Sequence, residues 1–512
     1  MVGIQAFRTG TNLSNDLTGA AAFNSYTERI SRYNLGWAYY EGKQYIRLNE
    51  MINRRMVDRA LYKYIQDIYN PTARLANFYK GVIWRGSVDT EAGEEGAIPI
   101  EVGYDTDDEA TRNAIAHIFK ISNMNKIKNI HVLHGTTMGD AVFYIRDDPE
   151  HEQARIEIIH PSSVEKIGTD SRGFIKSYVI REARLDNDGR PAIYREVCEH
   201  GEKDNEIVFS TYRDTTPYAW IGNEDETGAL RYSWSVQYGF IPLVLTQHIT
   251  EGNAWGKSAA WNSLGKIDAI EDEASMLHDQ IRKTIDPVLL ANFKKGSSDT
   301  VFGEPTATSD KPKPGRETAK VIYVDMENPK MEPVVTDLRI ADISANIKQM
   351  LDNLENELPE LRRDIYSNVA TDTVKAARAS VESKVIEARI NYDASMVSAL
   401  QMCMSIGGMN KYPGYDGFNE NSYEAGEMDF TIADRDVFPQ SETEEIEDTQ
   451  AFWNTLGSVV QATQGVITPE MVMKSYGWSE DKIAEYNKVR GGSYSAGDVP
   501  PIDPLTGKPM GQ

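Results

Sequence analysis

Two cysteines in 512 residues, Cys198 and Cys403, lie too far apart in sequence to offer a disulfide framework, which suits a reducing compartment. Long apolar runs are missing too. No stretch reaches the roughly 20 residues a membrane span needs. Residues 1–20 are polar and rich in Gly, Thr and Asn, unlike a signal peptide. A soluble chain made inside the cell is expected. Positive charge is scarce: Lys+Arg number 54 against 78 Asp+Glu, a net −24. Such acidity excludes wrapping DNA over broad basic faces, because phosphate binding needs local cationic density. It leaves room for a partner that passes by without sticking.

The catalytic signatures are thin as well. Eight histidines are scattered, and His131 with His134 on one helix face lack a third metal ligand at sensible spacing. Asp147-Asp148 and Glu271-Asp272-Glu273 read as solvated turn or helix charges. No Gly-x-Ser-x-Gly or Cys/His nucleophile arrangement occurs. Neither catalytic residues, a cofactor nor a metal is expected.

What is present is strong patterning. Residues 24–40 have helical periodicity ending at Gly42, and 70–84 open with Asn70 as a cap and Pro71 in the first turn. Helices are also expected over 106–120 and 126–138. Strand signals follow at 141–148, 154–161, 177–185, 193–200, 206–213 and 232–248, separated by turn chemistry such as Asp186–Gly189. Residues 23–250 thus read as helices followed by a mainly antiparallel sheet, an α+β body.

Beyond residue 256 the character changes. Leu264, Ile267, Ile270, Ala274, Leu277 and Ile281 form one helical stripe ending before Pro287. A β-like insert follows, with strands at 287–293 and 319–326 around a polar loop, 294–316. Ile340, Ile343, Ile347, Met350, Leu354 and Leu358 define a second amphipathic helix, about 30 Å long at 1.5 Å per residue. The pattern breaks at Pro359. A longer helix spans 373–406 with Val374, Ala377, Val381, Val385, Ala388, Tyr392, Met396 and Ala399 on one face. A strand at 427–439 and helices at 442–462 and 469–488 complete the ordered chain, and the tail from Gly491 is expected to be disordered.

"EGNAWGKSAAW" (251–261) invites a nucleotide-binding reading, since it follows an apolar run and opens a helix. Val321–Asp325 would supply a magnesium-holding aspartate. The spacing is wrong, however. A phosphate loop needs four residues between its first glycine and Gly-Lys-Ser/Thr, and Gly252 and Gly256 enclose only Asn253, Ala254 and Trp255. A plain strand-to-helix turn is the better reading. Helices separated by an insert of this size suggest packing against further copies of the chain in a ring.

In order, "YYEGKQY" (39–45), "NPTARLANFYKGVIW" (70–84), "GDAVFYIRDD" (139–148) and "IHPSSVEKI" (159–167) lead to "GFIPLVLTQH" (239–248) and to 263–291. "FPQSETEEIED" (438–448) and 463–486 close the series. This succession over residues 24–490 resembles the portal proteins of tailed double-stranded DNA bacteriophages, the head-to-tail connector rings. The resemblance implies a flexible 1–23, a wing (24–255), a stem helix (256–284), a clip (285–336) and a second stem helix (337–358). A tunnel loop (359–372), a long helix with wing return (373–440), crown helices (441–490) and a disordered tail (491–512) would follow. It also implies a structural, non-enzymatic role: a ring, most often dodecameric, at one capsid vertex of the virion, assembled in the host cytoplasm. Through that ring viral genome packaging and DNA ejection would proceed. Terminase would dock first and a head–tail adaptor later, with major capsid and scaffold proteins as further partners. A degenerate P-loop motor subunit and a non-viral ring scaffold are the competing readings.

Under that resemblance Arg362, Arg363, Asn368, Lys375 and Arg378 are the expected contacts with DNA in the tunnel, interleaved with Glu360, Asp364 and Asp372. Lys294, Lys295, Lys311, Lys313, Arg316 and Lys320 make the insert locally basic, and they are the expected docking surface for terminase and adaptor.

Overall fold

The computed structural model describes residues 25–45, 69–85, 100–102, 109–170, 174–185, 189–203, 205–220, 231–252, 254–285, 288–293, 321–325, 330–334, 340–362, 372–419, 421–423, 425–438, 442–462, 468–475 and 483. Helix α1 (Tyr26–Glu41) begins where the Ser25 hydroxyl accepts from the Glu28 amide and ends at Gly42 in a left-handed conformation. Helix α2 (Pro71–Val82) is capped by Asn70, whose side chain accepts from the Ala73 amide. Strand β1 (Ile100–Val102) precedes helices α3 (Glu109–Ile121) and α4 (Met124–Met138). Gly139, at φ 99°, lets α4 turn directly into β2 (Asp140–Asp148).

The strands β3 (Gln153–Ile159), β4 (Val164–Thr169), β5 (Ile175–Leu185), β6 (Pro191–His200), β7 (Ile207–Arg213), β8 (Thr216–Pro217), β9 (Ser233–Val236) and β10 (Leu243–Gln247) follow. They build two antiparallel sheets. One runs β10-β2-β3, and the other runs β4 to β8 in sequence order with β9 also on β7. The run expected as one strand at 232–248 is divided, because Gly239 adopts φ 75° and sends its halves to different sheets.

Helix α5 (Leu264–Ile285) leads to β11 (Val288–Phe293), β12 (Val321–Asp325) and β13 (Lys330–Val334). β11 is central in this insert, parallel to β12 and antiparallel to β13. Helix α6 (Ile340–Glu357), a 3-10 turn at Pro359–Leu361 and helix α7 (Asp372–Asn410) come next. Of the strand expected at 427–439, only β14 (Phe430–Ile432) forms, antiparallel to β1. The chain divides into two compact units, Met1–Arg435 and Asp436–Gln512. In the second, α8 (Glu442–Ala462) and α9 (Pro469–Ser475) pack through Leu456, Val472 and Met473, joined by Ile483.

In the first unit, β2 is buried from Asp140 to Ile145, and α7 packs on its sheet. The predicted face of α7 is the buried one: Val381, Val385, Ala388, Tyr392, Met396 and Ala399. Helices α5 and α6 run antiparallel. Glu357 reaches Ser263 and Lys266 at one end, and Asn346 donates to Glu273 at 2.7 Å further along. Leu264, Ile267, Ile270, Leu354 and Leu358 join Leu35, Tyr39 and Leu75 in a single cluster, so the hairpin's root is welded to α1 and α2.

Ile267 is wholly buried in that cluster. Ile267→Ala should cost about 2–5 kcal/mol through lost burial and the cavity left behind. A urea titration of the full chain checks this through its unfolding midpoint.

Candidate functional site

Three places carry the functional expectations: the 251–261 turn, the 359–372 loop and the basic insert. Protein groups fill the first. The Gly256 amide donates to Asp140 Oδ1 at 2.8 Å, and the Gly256 carbonyl accepts from Arg32 Nη1 at 3.2 Å. Lys257 forms an ion pair with Glu251, and its amide donates to the Ile249 carbonyl at 3.1 Å. Ala259 donates to Thr136 O at 3.0 Å. Trp255 is buried beneath the Arg29 guanidinium, which lies 3.6 Å from its ring centroid. Arg29 in turn donates to the carbonyls of Pro161, Val164 and Glu165. A Cβ at Gly256 would stand 2.5 Å from the Gly139 carbonyl oxygen, so glycine is required here for packing. The turn is a structural clasp, and the amide of its second glycine is already spent. Burial raises the Asp140 carboxyl to about 6, while bonds from Tyr33 and Gly256 and the nearby Arg32 and Arg29 charges oppose the rise.

The paired histidines are core residues. His131 stacks on Phe143 at 3.6 Å and shares a 2.8 Å hydrogen bond with Thr246. His134 meets His160 edge-on. Burial holds His131 well below its ordinary range and takes His134 down to about 3. Among the described residues, no group of three His, Cys, Asp or Glu side chains is arranged to hold a metal ion.

The expected solvated carboxylates need correction. Asp147 accepts from Tyr238, Asn410 and Tyr412, at 2.5, 3.1 and 2.8 Å, and ties the end of α7 to β2. Glu271 is wholly buried, accepting from Tyr45 and from Gln44 at 3.1 Å, while Asp268 one turn earlier accepts from Tyr39. Its position was legible: Glu271 is four residues from Ile267 and three from Ala274, on the apolar stripe of α5. Asp272 stays exposed, as expected.

Pro359 ends α6 because it lacks the N–H a helix interior needs, and the resulting turn drives Leu358 and Leu361 into the core cluster. Glu360, interleaved in sequence with the expected DNA contacts, is buried. It accepts from Tyr79 at 2.8 Å and pairs with Lys384 at 3.6 Å. Arg74 donates to the Leu361 carbonyl at 2.9 Å. Of the expected DNA contacts, Arg362 is half-buried where the chain leaves this anchor, and Arg378 is half-buried on α7. Arg363, Asn368 and the side chain of Lys375 lie outside the described residues, as do all six docking residues, Lys294, Lys295, Lys311, Lys313, Arg316 and Lys320.

Among known proteins, no family model matches the chain and no curated protein matches it significantly. No helix among the described residues is long and apolar enough to cross a membrane.

Burial lifts the Glu271 carboxyl to about 7 from an ordinary 4.5, against the bonds from Tyr45 and Gln44. A raised carboxyl favours its protonated form in the fold. That stability is fully present below pH 4.5 and is lost as pH rises through 7. Glu271→Gln removes this dependence. From pH 5 to 8 the variant should gain about 1–3 kcal/mol relative to the parent, read as the difference between their urea midpoints at each pH.

Proposed function

We propose that this chain is a portal-type subunit: copies of it assemble into a ring whose axis is a passage for double-stranded DNA. It has no covalent chemistry of its own. One observation supports the reading above others. The α5–α6 hairpin buries its apolar stripe only at the root, while Met276, Ile281 and Ile340 further along are 48%, 39% and 37% exposed. A lone chain leaves this apolar length in water, at about 25 cal/mol per Å² of surface left unburied, and neighbouring copies of the same hairpin would cover it.

The finer features of the reading come from the sequence resemblance: a capsid vertex as its place in the virion, terminase and an adaptor as successive partners at the insert, and capsid and scaffold proteins around the ring. The acidity of the chain suits a conduit, since each cation that neutralises a phosphate adds salt-dependent affinity and slows passage. The clasp at Gly256 argues against the motor-subunit alternative, because its donor is committed to Asp140.

Negative-stain electron microscopy of the purified full chain, with mass photometry across concentration, tests the ring. Closed rings with an axial hole are expected. A monomer at every concentration, and inside its native particle, overturns the proposal. Replacing Arg362 and Arg363 with Ala should leave rings intact while lowering the amount of packaged genome. Normal filling and retention would remove the loop from the DNA path.

A further inference from the structure

Between Asn70 and Arg85 the chain carries three cations, Arg74, Lys80 and Arg85, and no carboxylate, within a protein of net charge −24. Helix α2 turns Leu75, Ala76 and Tyr79 into the core and presents Arg74, Asn77 and Gly81 outward. Lys80 stands half-buried on the flank, and Arg85 is exposed just past the helix end. Arg74 already touches the root of the 359–372 loop through the Leu361 carbonyl. None of the three cations is paired with a carboxylate among the described residues.

The ground beneath this face is cationic too. At the C-terminal end of α2, Arg389 donates to the Val82 carbonyl at 2.7 Å and Arg435 donates to the Ile83 carbonyl. Asp393 pairs with Arg435 at 2.8 Å. Lys128 is buried nearby; burial first, and then the Arg435 charge, bring its ammonium down to about 8. Guanidinium groups at a helix C-terminus offset the negative end of its dipole, so the exposed cations above keep their field.

Gly81 adds an independent sign. A glycine within a helix costs about 0.5–1 kcal/mol relative to alanine. Among the described residues no packing accounts for it: a Cβ at Gly81, the penultimate residue of α2, would meet nothing within 4 Å. The bare backbone leaves a shallow notch on the face that carries Arg74 and Asn77. Along the helix, Arg74 and Lys80 are about 9 Å apart, two to three base-pair steps of a duplex.

We propose that the outer face of α2, formed by Arg74, Asn77, Lys80, Gly81 and Arg85, is a binding surface for the phosphodiester backbone of double-stranded DNA. It lies beside the loop root, and its place on a DNA path rests on the portal reading above. Charge complementarity selects the polyanion, and the notch at Gly81 admits a strand at close range.

The test uses the full chain and a short fluorescent duplex, with binding followed by anisotropy over a salt series. Each phosphate contact contributes about 0.9 to the slope of log K against log salt. Lys80→Gln with Arg85→Gln should therefore reduce that slope by about 1.8 without changing the oligomeric state or the thermal midpoint. Gly81→Leu, which fills open space, should keep the fold while weakening binding several-fold. No measurable binding by the parent at low salt, or an unchanged slope in the double variant, overturns the proposal. Poly-glutamate competing as well as duplex at equal charge also overturns it, in favour of an acidic protein partner. The two readings separate cleanly. Intact rings with an unaltered slope reject this surface alone, whereas a monomer whose duplex binding falls in the variants rejects the ring and leaves the surface standing.

Discussion

The buried carboxylate of Asp140 is the interaction on which the first unit hangs. It occupies the first residue of β2, directly after the left-handed Gly139, and takes the Tyr33 hydroxyl at 2.6 Å and the Gly256 amide at 2.8 Å. Arg32, close enough to lower the Asp140 pKa, holds the Gly256 carbonyl. Helix α1, the junction of α4 with β2 and the turn before α5 are thereby fixed to one another through a single charge. Leaving such a charge without its partners costs about 3–5 kcal/mol, as much as the loss of a large aliphatic side chain from the core. Apolar packing alone would allow α1 to slide along α4. The hydrogen bonds, with Gly36 pressed against the Thr137 carbonyl too closely to tolerate a Cβ, set the register.

The same device recurs wherever the body meets the hairpin. Tyr39 and Tyr45 reach Asp268 and Glu271 on α5, and Tyr79 reaches Glu360 after α6. Each pairs a tyrosine from α1, α2 or the chain just past α1 with a carboxylate from the hairpin or its exit. Phenol and carboxylate satisfy one another's buried polar atoms, and at Glu360 the Lys384 ammonium adds an ion pair. The result is a stiff root for a hairpin that leaves Met276, Ile281 and Ile340 exposed further along. A rigid root is what an arm must have if contacts along it are to be felt in the body, because packed cores transmit displacement rather than absorb it.

Much of the fold was legible because periodicity and caps are local signals. Asn70-Pro71, Gly42 and the stripe from Leu264 to Ile281 located α2, the end of α1 and α5 without reference to anything distant. What was not legible depended on partners far along the chain. β1 finds β14 more than 300 residues away by sequence number, a pairing no local pattern announces. Glu271 and Asp147 read as solvent charges because their partners, Tyr45 and Tyr412, lie over 200 residues away. Glu271 alone left a trace, by sitting on an apolar stripe. The burial of Glu360 was not legible either, since it depends on Tyr79, 281 residues away in sequence. The cations of α2 were in view but passed as part of an ordinary capped helix; the open space at Gly81 is visible only in three dimensions.

Charge, finally, has a geography that composition conceals. A net of −24 describes the whole surface, yet a polyanion senses only what lies within about a Debye length, ~10 Å at moderate salt. Around α2 stand Arg74, Lys80 and Arg85 outside and Arg389 and Arg435 at the helix end; of the carboxylates there, Asp393 is engaged by Arg435 and Glu360 by Tyr79 and Lys384, while Glu387, close enough to act on Tyr79, is exposed. On the proposed portal reading, an acidic exterior would repel DNA at long range and a small cationic face would hold it briefly at short range. Weak retention against general repulsion is the balance a passage requires. A uniformly basic wall would bind and stall; a uniformly acidic one would never admit the duplex. The uneven placement of a modest number of cations would resolve that conflict, and Arg74, bonded to the Leu361 carbonyl, joins the acid-free stretch of α2 to the anchored turn beside it.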